Sequence, residues 1–235
     1  MKKVKELLKS LTIFERCLWA VSTLGVIIAF LISSDKDYLT LISSIIGLTA
    51  LIFTAKGYVI GQVLIVVFSV FYGIISYHFR YYGEMITYLC MSSPIAIAAV
   101  ISWARNPYGK TREVKVSKIT KKQVTVMIIL AIFVTVGFYF ILKALGNANL
   151  LVSTFSVTTS FVAAYMTYLR SPYYALGYVA NDMVLISLWI SATVKDISSL
   201  PMVICFSMFF INDTYAFINW QRMKKRQAMF FDEDL

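Results

Sequence analysis

Residues 201–220 read PMVICFSMFFINDTYAFINW, a stretch apolar enough to cross a bilayer that nevertheless carries Asn212, Asp213, Tyr215 and Asn219. A charged side chain near the middle of a membrane costs at least about 2.5 to 3.5 kcal/mol, so such a residue commonly marks a cavity, an ion path or a partner. Asn212 and Asn219 are two helical turns apart and share a face with Tyr215. We expect this stretch to line a substrate cavity. The alternative is a hydrogen-bonded clamp between helices.

The rest of the chain has the composition of an integral membrane protein. Of its 235 residues, 59% are hydrophobic and 14% are charged, which is more apolar surface than a soluble domain can hide. The three cysteines fall within apolar stretches and the single histidine lies at the end of one, so we expect no disulfide framework, no metal site and no cofactor. The sequence has no nucleophile–base, zinc or nucleotide-binding motif, which argues against an enzyme and against primary active transport.

Hydropathy predicts an all-α membrane protein with eight transmembrane helices. The predicted spans cover residues 17–34, 38–55, 58–77, 84–103, 124–145, 150–169, 173–194 and 201–220. Residues 1–16 combine an apolar helical face with surrounding lysines, which predicts an amphipathic helix on the cytoplasmic membrane surface. Pro94 lies deep within the fourth span and predicts a kink there.

The distribution of Lys and Arg predicts the orientation of these spans. With the amino terminus inside, cytoplasmic segments hold 18 of the 22 basic residues, and the opposite segments hold the other four. Because basic residues in short loops stay cytoplasmic, both termini are predicted to be cytoplasmic in a multi-pass protein of the cell membrane. The long basic loop, 104–122, lacks motifs for nucleic-acid binding, so its charge is interpreted as a determinant of orientation.

The spans contain an internal repeat. ISWAR at 101–105 and INWQR at 218–222 are related by an offset of 117, and IGQV at 60–63 and LGYV at 176–179 by 116. Lys56 and Arg170 end the second and sixth spans at an offset of 114. Spans two to four therefore recur as spans six to eight in the same orientation, with the fifth as connector. The predicted organisation is a surface helix (1–16), an extra helix (17–34), a first repeat (38–103), a basic loop (104–122), a linker helix (123–145), a second repeat (150–220) and a cytoplasmic tail (221–235).

Three stretches resemble the PnuC-type vitamin transporters: YGEM at 82–85, the segment 181–189, and NDTYAFINW at 212–220. The resemblance covers about residues 42–222. It implies a fold related to that of the SWEET sugar carriers, with a 3+1+3 parallel-repeat bundle. It also implies uptake of nicotinamide riboside by facilitated diffusion, a cytoplasmic kinase that traps the product, and a homotrimer.

Among the acidic residues, Asp182 and Asp213 are the two that lie well inside predicted spans, near the midpoints of helices that the repeat places together. No Lys or Arg lies at matching depth in those helices. Such a pair shares a proton or recruits a cation. The pyridinium ring of nicotinamide riboside or the thiazolium ring of thiamine would neutralise it and stack on Trp189 or Tyr215. A proton-coupled carrier that uses the two acids as a relay is the strongest rival hypothesis.

Amide side chains at similar depth suit a substrate with ribose hydroxyls or a carboxamide. The predicted substrate-binding residues are Gln62, Asn181, Asp182, Trp189, Asn212, Asp213, Tyr215, Asn219 and Trp220. For Trp220 an interfacial anchor is an equal alternative. Two acids without a basic partner favour the cations nicotinamide riboside and thiamine over the neutral candidates, riboflavin and the deoxynucleosides. Between the two cations, the ribose hydroxyls fit Asn181, Asn212 and Asn219 better, which ranks nicotinamide riboside first and thiamine second.

Overall fold

The computed structural model describes residues 6–7, 9–33, 36–79, 81–147 and 149–232. This part of the chain contains eight helices long and apolar enough to cross a membrane, which confirms the predicted all-α membrane fold. They are α1 (Ile13–Ile32), α2 (Tyr38–Ala55), α3 (Val59–His78), α4 (Tyr82–Ala104), α5 (Lys121–Ala144), α6 (Leu150–Tyr168), α7 (Tyr174–Lys195) and α8 (Leu200–Asp232).

Helix α1 begins four residues before the predicted start of the first span. Thr12 and Glu15 form a capping box in which each side chain bonds the other residue's backbone N–H, so the helix begins at Ile13. Hydropathy missed this start because Glu15 and its neighbour Arg16 are charged. Of the predicted surface helix, residues 1–5 and 8 lie outside the described residues, and residues 6, 7 and 9 are helical.

Helix α8 continues well beyond the predicted span. It remains helical to Asp232, so the predicted tail is a helical extension over its described residues. Hydropathy marks where a helix leaves the apolar layer, whereas hydrogen bonding and packing decide where the helix ends. In this extension Met223 and Gln227 are buried, which shows that the extension packs against other parts of the protein.

Helix α4 is irregular in the middle. It is α-helical over Tyr82–Ile86, π-helical over Thr87–Ser92 and α-helical again over Ser93–Ala104. Pro94 lies just after the π-helical turn, where it has no N–H to donate and its ring crowds the preceding turn. The irregularity predicted for the fourth span therefore takes the form of a π-helical turn.

The two repeats, α2–α4 and α6–α8, pack against each other through two related contacts. Helix α2 lies against α8, and its equivalent α6 lies against α4, the equivalent of α8. We call these contacts the α2–α8 seam and the α4–α6 seam. The extra helix α1 packs on α2 and α8, and α5 packs mainly on α6. This arrangement is the one expected of a parallel repeat.

Matching tryptophans cross the two seams. The indole nitrogen of Trp103 donates to the backbone oxygen of Thr167 at 2.9 Å, and that of Trp220 donates to the backbone oxygen of Thr54 at 3.0 Å. Both indoles are fully buried and their rings contact each other, with centroids 5.3 Å apart. The ISW and INW motifs therefore have the same structural role in both repeats.

The ends of α2 and α6 correct one part of the predicted repeat. The residues in the left-handed conformation after these helices are Gly57, with φ of 70°, and Arg170, with φ of 56°. The residues that follow each donate back to the carbonyl five positions earlier, Tyr58 to Phe53 and Ser171 to Met166. The offset at this point is thus 113, so Arg170 is equivalent to Gly57 and the predicted equivalence with Lys56 is wrong by one residue.

The segment between α4 and α5 folds onto one end of the bundle, which we call the loop end. The backbone N–H of Val114 donates to the carbonyl of Gly57 at 2.9 Å. Gln227 on the α8 extension accepts from the N–H of Val116 and donates to the carbonyl of Val114. This basic segment is therefore attached to both repeats and does not hang free.

Candidate functional site

A cavity lies between the two repeats, and each of the six repeat helices contributes to its wall. The space between its lining atoms totals about 720 Å³, but the volume open to the centre of a water molecule is only about 50 Å³. The cavity is therefore a narrow crevice. In this conformation the open volume is too small for a ligand with a ring and a sugar.

Asp182 and Asp213 lie together at the wall formed by α7 and α8, as predicted. Asp182 is eight residues from the loop end of α7 and Asp213 seven residues from Trp220, which places both about 10 to 12 Å from that end at 1.5 Å per residue. Both line the same cavity, each is 3% exposed or less, and Oδ2 of Asp182 has no hydrogen-bond partner among the described residues. Two adjacent buried carboxyl groups share a proton or hold a cation.

Two predicted amides also line the cavity. Asn181 is buried, and its side-chain oxygen accepts from the hydroxyls of Thr159 and Ser160, each at 2.9 Å. These two contacts fix the orientation of the amide beside Asp182. On the facing repeat, Gln62 donates to the hydroxyl of Thr54 at 3.4 Å. The cavity thus combines one acidic wall with amide groups able to bind hydroxyls or a carboxamide.

Aromatic side chains close the cavity on the side away from the loop end. Trp189 is fully buried and donates to the hydroxyl of Tyr72 at 3.1 Å. Its ring also contacts Phe79 and Tyr81, and Tyr72 contacts Phe206. Trp189 lies seven residues beyond Asp182, about 10 Å further along α7, so the structure places it in this aromatic layer and not at the cavity wall as predicted.

A second aromatic layer closes the cavity at the loop end. Trp220 packs against Trp103 and Tyr174, and Tyr174 itself lines the cavity. Trp220 is therefore neither the interfacial anchor nor the cavity-wall residue that the sequence suggested. Its indole crosses the α2–α8 seam, between the cavity and the loop end, and donates to the backbone oxygen of Thr54.

The structure places three other predicted residues in helix contacts away from the cavity. Asn212 donates to the hydroxyl of Ser22 on α1 at 3.0 Å, Tyr215 donates to Glu15, and Asn219 donates to the carbonyl of Ala55 at 2.8 Å. Their shared face was correctly recognised, but it points toward α1 and α2. Because neighbouring helical residues differ by about 100°, Asp213 faces the cavity while Asn212 faces away. For this face the clamp alternative describes the observed contacts.

Several polar groups at or near the cavity are absent from the predicted set of substrate-binding residues. Tyr178, Tyr88 and Ser92 line the cavity. The i, i+4 spacing places Tyr178 on one stripe with Asp182, but Tyr178 was not included among the predicted substrate-binding residues. Glu84 is a third buried acid of the repeats, 2% exposed, whose carboxyl oxygens lack hydrogen-bond partners among the described residues. It was passed over because it lies near the start of a span, where hydropathy does not distinguish a buried position from an interfacial one.

Comparisons with known proteins agree with this architecture. The family model described as "Nicotinamide mononucleotide transporter" matches residues 37–222. A curated relative, the nicotinamide riboside transporter PnuC of Neisseria mucosa, is 27% identical over 230 residues, which cover 95% of this chain and 87% of that protein. A solved structure, described as the crystal structure of the vitamin B3 transporter PnuC, superposes with a TM-score of 0.81 at 25% identity, covering 93% of this chain and 94% of that one.

Proposed function

The chain belongs to the nicotinamide mononucleotide transporter family, and we propose that it imports nicotinamide riboside across the cell membrane by facilitated diffusion. The family and the relatives are transporters and not enzymes, which supports a small-molecule substrate. The eight apolar helices of the described residues are those of a multi-pass membrane protein. The nicotinamide riboside named in the relative's description is the substrate we assign to this chain.

The observation that carries this assignment is the charge of the cavity. Asp182 and Asp213 lie in its wall, and no Lys, Arg or His is found among its described lining residues. The pyridinium ring of nicotinamide riboside supplies the missing positive charge, and Asn181 and Gln62 suit its carboxamide and ribose hydroxyls. The mononucleotide in the family's description carries an additional phosphate, which the two acids disfavour.

The two aromatic layers suit alternating access. Each layer lies on one side of the acids, so moving one repeat against the other opens the cavity to one side of the membrane at a time. The narrowness of the cavity requires such a motion before a nucleoside can bind or leave. Diffusion down a gradient then needs no energy source, and a cytoplasmic kinase that phosphorylates the product would make uptake unidirectional.

Both termini and the loop end are proposed to be cytoplasmic, with the organisation of extra helix, repeat, linker and repeat described above. We expect reporters fused after Lys122 and after Arg226 to read cytoplasmic, because 18 of the 22 basic residues then lie on that side. A phosphatase and a fluorescent-protein fusion at each position check this. An external signal at either site would contradict the orientation.

The substrate is tested by calorimetric titration of the purified protein with nicotinamide riboside, thiamine, riboflavin and a deoxynucleoside. We expect the two cations to bind more tightly than the neutral compounds, and nicotinamide riboside more tightly than thiamine, because its ribose hydroxyls and carboxamide suit Asn181 and Gln62. Nicotinamide mononucleotide, added to the same panel, is expected to bind more weakly than the riboside. Tighter binding of riboflavin or a neutral deoxynucleoside would contradict the assignment.

Proton-coupled transport is the second candidate mechanism, and the presence of two buried acids, Asp182 and Asp213, in the same cavity wall favours it. In proteoliposomes, counterflow of labelled substrate without any ion gradient supports the uniport that we propose. Uptake that requires a pH gradient and collapses with an uncoupler supports the rival.

The assembly proposed from the family resemblance is a homotrimer. Helix α5 exposes large apolar side chains, among them Phe133 and Phe140, to lipid or to a neighbouring copy. Light scattering of the purified protein, corrected for bound detergent, checks the oligomeric state. The proposed kinase is a functional partner that need not bind the transporter.

A further inference from the structure

The two seams carry the same backbone contacts at the loop end. In addition to the tryptophan bonds, Ser102 donates to the carbonyl of Tyr168 across the α4–α6 seam at 2.9 Å. Its equivalent by the offset of 117, Asn219, donates to the carbonyl of Ala55 across the α2–α8 seam at 2.8 Å. On these contacts alone, either seam is as able as the other to open a path from the cavity to the cytoplasm.

The extra helix breaks this symmetry. The carboxylate of Glu15, 1% exposed, accepts from Lys56 at 3.0 and 3.1 Å and from the hydroxyl of Tyr215 at 2.8 Å. Lys56 caps the end of α2, and Tyr215 is on α8. One buried carboxylate thus joins the two helices of the α2–α8 seam. Buried, charge-assisted hydrogen bonds are stronger than neutral ones, and separating such a pair leaves an uncompensated charge.

At the loop end, the α4–α6 seam has no ion pair of this kind in the described part of the chain. Arg170, at the end of α6, bonds the carbonyl and hydroxyl of Ser102 at 3.3 and 3.1 Å, and no described carboxylate forms an ion pair with it. The loop segment adds one backbone bond on this side, from Ser117 to Arg170. On the other side it joins Gly57 to Gln227 through Val114, which again ties α2 to α8.

We propose that Glu15 is a positioning residue for transport, which keeps the α2–α8 seam closed so that the substrate leaves toward the cytoplasm through the α4–α6 seam. The inference rests on the proposed transport function. It assigns to the extra helix a role in choosing the exit path. The π-helical turn and Pro94, both in α4, lie on the helix that moves in this scheme.

The internal symmetry supplies matched variants for the test. In a background in which Cys17, Cys90 and Cys205 are replaced by alanine, one protein carries Ser102→Cys with Tyr168→Cys and the other carries Ala55→Cys with Asn219→Cys. A short bis-methanethiosulfonate reagent cross-links each pair, and dithiothreitol reverses the link. Each protein is compared with itself before cross-linking, so the effects of the substitutions cancel.

Cross-linking the α4–α6 seam is expected to reduce substrate counterflow in proteoliposomes at least tenfold, with recovery after dithiothreitol. Cross-linking the α2–α8 seam is expected to change it less than twofold. Loss of counterflow in the α2–α8 protein, or equal loss in both, would overturn the proposal. The assay uses whichever compound of the titration panel binds the protein before cross-linking. Failure of nicotinamide riboside to bind therefore contradicts the substrate assignment but leaves the proposed exit path testable.

Glu15→Gln, introduced into the protein with the cross-linkable α4–α6 pair, tests the carboxylate itself. If Glu15 keeps the α2–α8 seam closed, its neutralisation opens a second path, and counterflow in the cross-linked protein rises at least threefold. Lys56→Gln, which removes the other charge of the pair, is expected to do the same. If neither Glu15→Gln nor Lys56→Gln restores counterflow to the cross-linked protein, and each lowers the melting temperature, then Glu15 stabilises the fold without controlling the exit path.

Discussion

Asp213→Asn is expected to weaken binding of nicotinamide riboside roughly 5- to 150-fold, which corresponds to about 1 to 3 kcal/mol. The residue is 2% exposed and faces the cavity beside Asp182. Asparagine keeps the size and the hydrogen-bonding oxygen but removes the negative charge that attracts the pyridinium ring. Calorimetric titration of the variant and the parent protein gives the ratio of dissociation constants directly.

In the Asp213→Asn variant, the carboxyl group of Asp182 remains and affects the size of the expected loss of affinity. If Asp182 and Asp213 share one proton, the single variant keeps a net negative charge on Asp182, and the loss falls at the lower end of the range. The double variant, with Asp182→Asn added, removes the charge entirely and is expected to give the largest loss. If the pair does share a proton, titrations in buffers of different ionisation enthalpy will detect protons released on binding to the parent protein and none on binding to the double variant.

Asp196→Asn provides the matched control, because Asp196 is exposed at the far end of α7 and bonds the N–H of Ser198. We expect its effect on affinity to be less than twofold. Asp213→Asn should also leave affinity for a neutral deoxynucleoside nearly unchanged. An unchanged dissociation constant for nicotinamide riboside in the double variant would show that Asp182 and Asp213 do not contribute to binding through the charge of the substrate.

The fold was predictable from sequence because membrane insertion makes hydropathy a strong signal. The predicted span 38–55 coincides with α2, and the others differ mainly where a cap or packing sets the helix end. Thr12 with Glu15, and Thr120 with Gln123, start α1 and α5 before the apolar residues begin. The repeat was also recoverable, because ISW and INW make equivalent backbone contacts at the two seams.

The candidate site was only partly predictable, because sequence shows which residues share a helical face but not which neighbour that face meets. Gln62, Asn181, Asp182 and Asp213 line the cavity. Asn212, Tyr215 and Asn219 form a polar face of the same helix, and that face meets α1 and α2. An extra helix outside the repeat can satisfy such polar groups, and hydropathy carries no information about this packing.

Gly61→Ala is expected to destabilise the protein and to reduce transport more than tenfold. A Cβ at this position lies 2.4 Å from the backbone nitrogen of Thr54 and 2.4 Å from its hydroxyl, closer than unbonded atoms can approach. Helices α2 and α3 must therefore move apart, which costs about 1 to 3 kcal/mol by comparison with other overpacked sites. For a chain of this size, such a loss lowers the melting temperature by several degrees.

The loss of transport has a local cause, because Thr54 carries the carbonyl that accepts from Trp220 and its side chain lines the cavity. Displacing it disturbs the α2–α8 seam and the wall opposite the acids together. Gly177→Ala, at the equivalent position of the second repeat, places its Cβ 2.9 Å from the flexible end of Met166 and 3.0 Å from the Cα of Ala163, so a smaller effect is expected.

Gly137→Ala on α5 is the control for the intrinsic effect of the substitution. No atom of the described residues lies within 4 Å of the added Cβ, and alanine is favoured over glycine in a helix by roughly 0.8 to 1 kcal/mol, so the melting temperature is expected to stay the same or rise. The three variants are ranked by thermal unfolding in detergent and by counterflow. The prediction is contradicted if Gly61→Ala has the same melting temperature as Gly137→Ala and transports normally. In that case Thr54 keeps its position at the cavity without the close approach of α2 and α3.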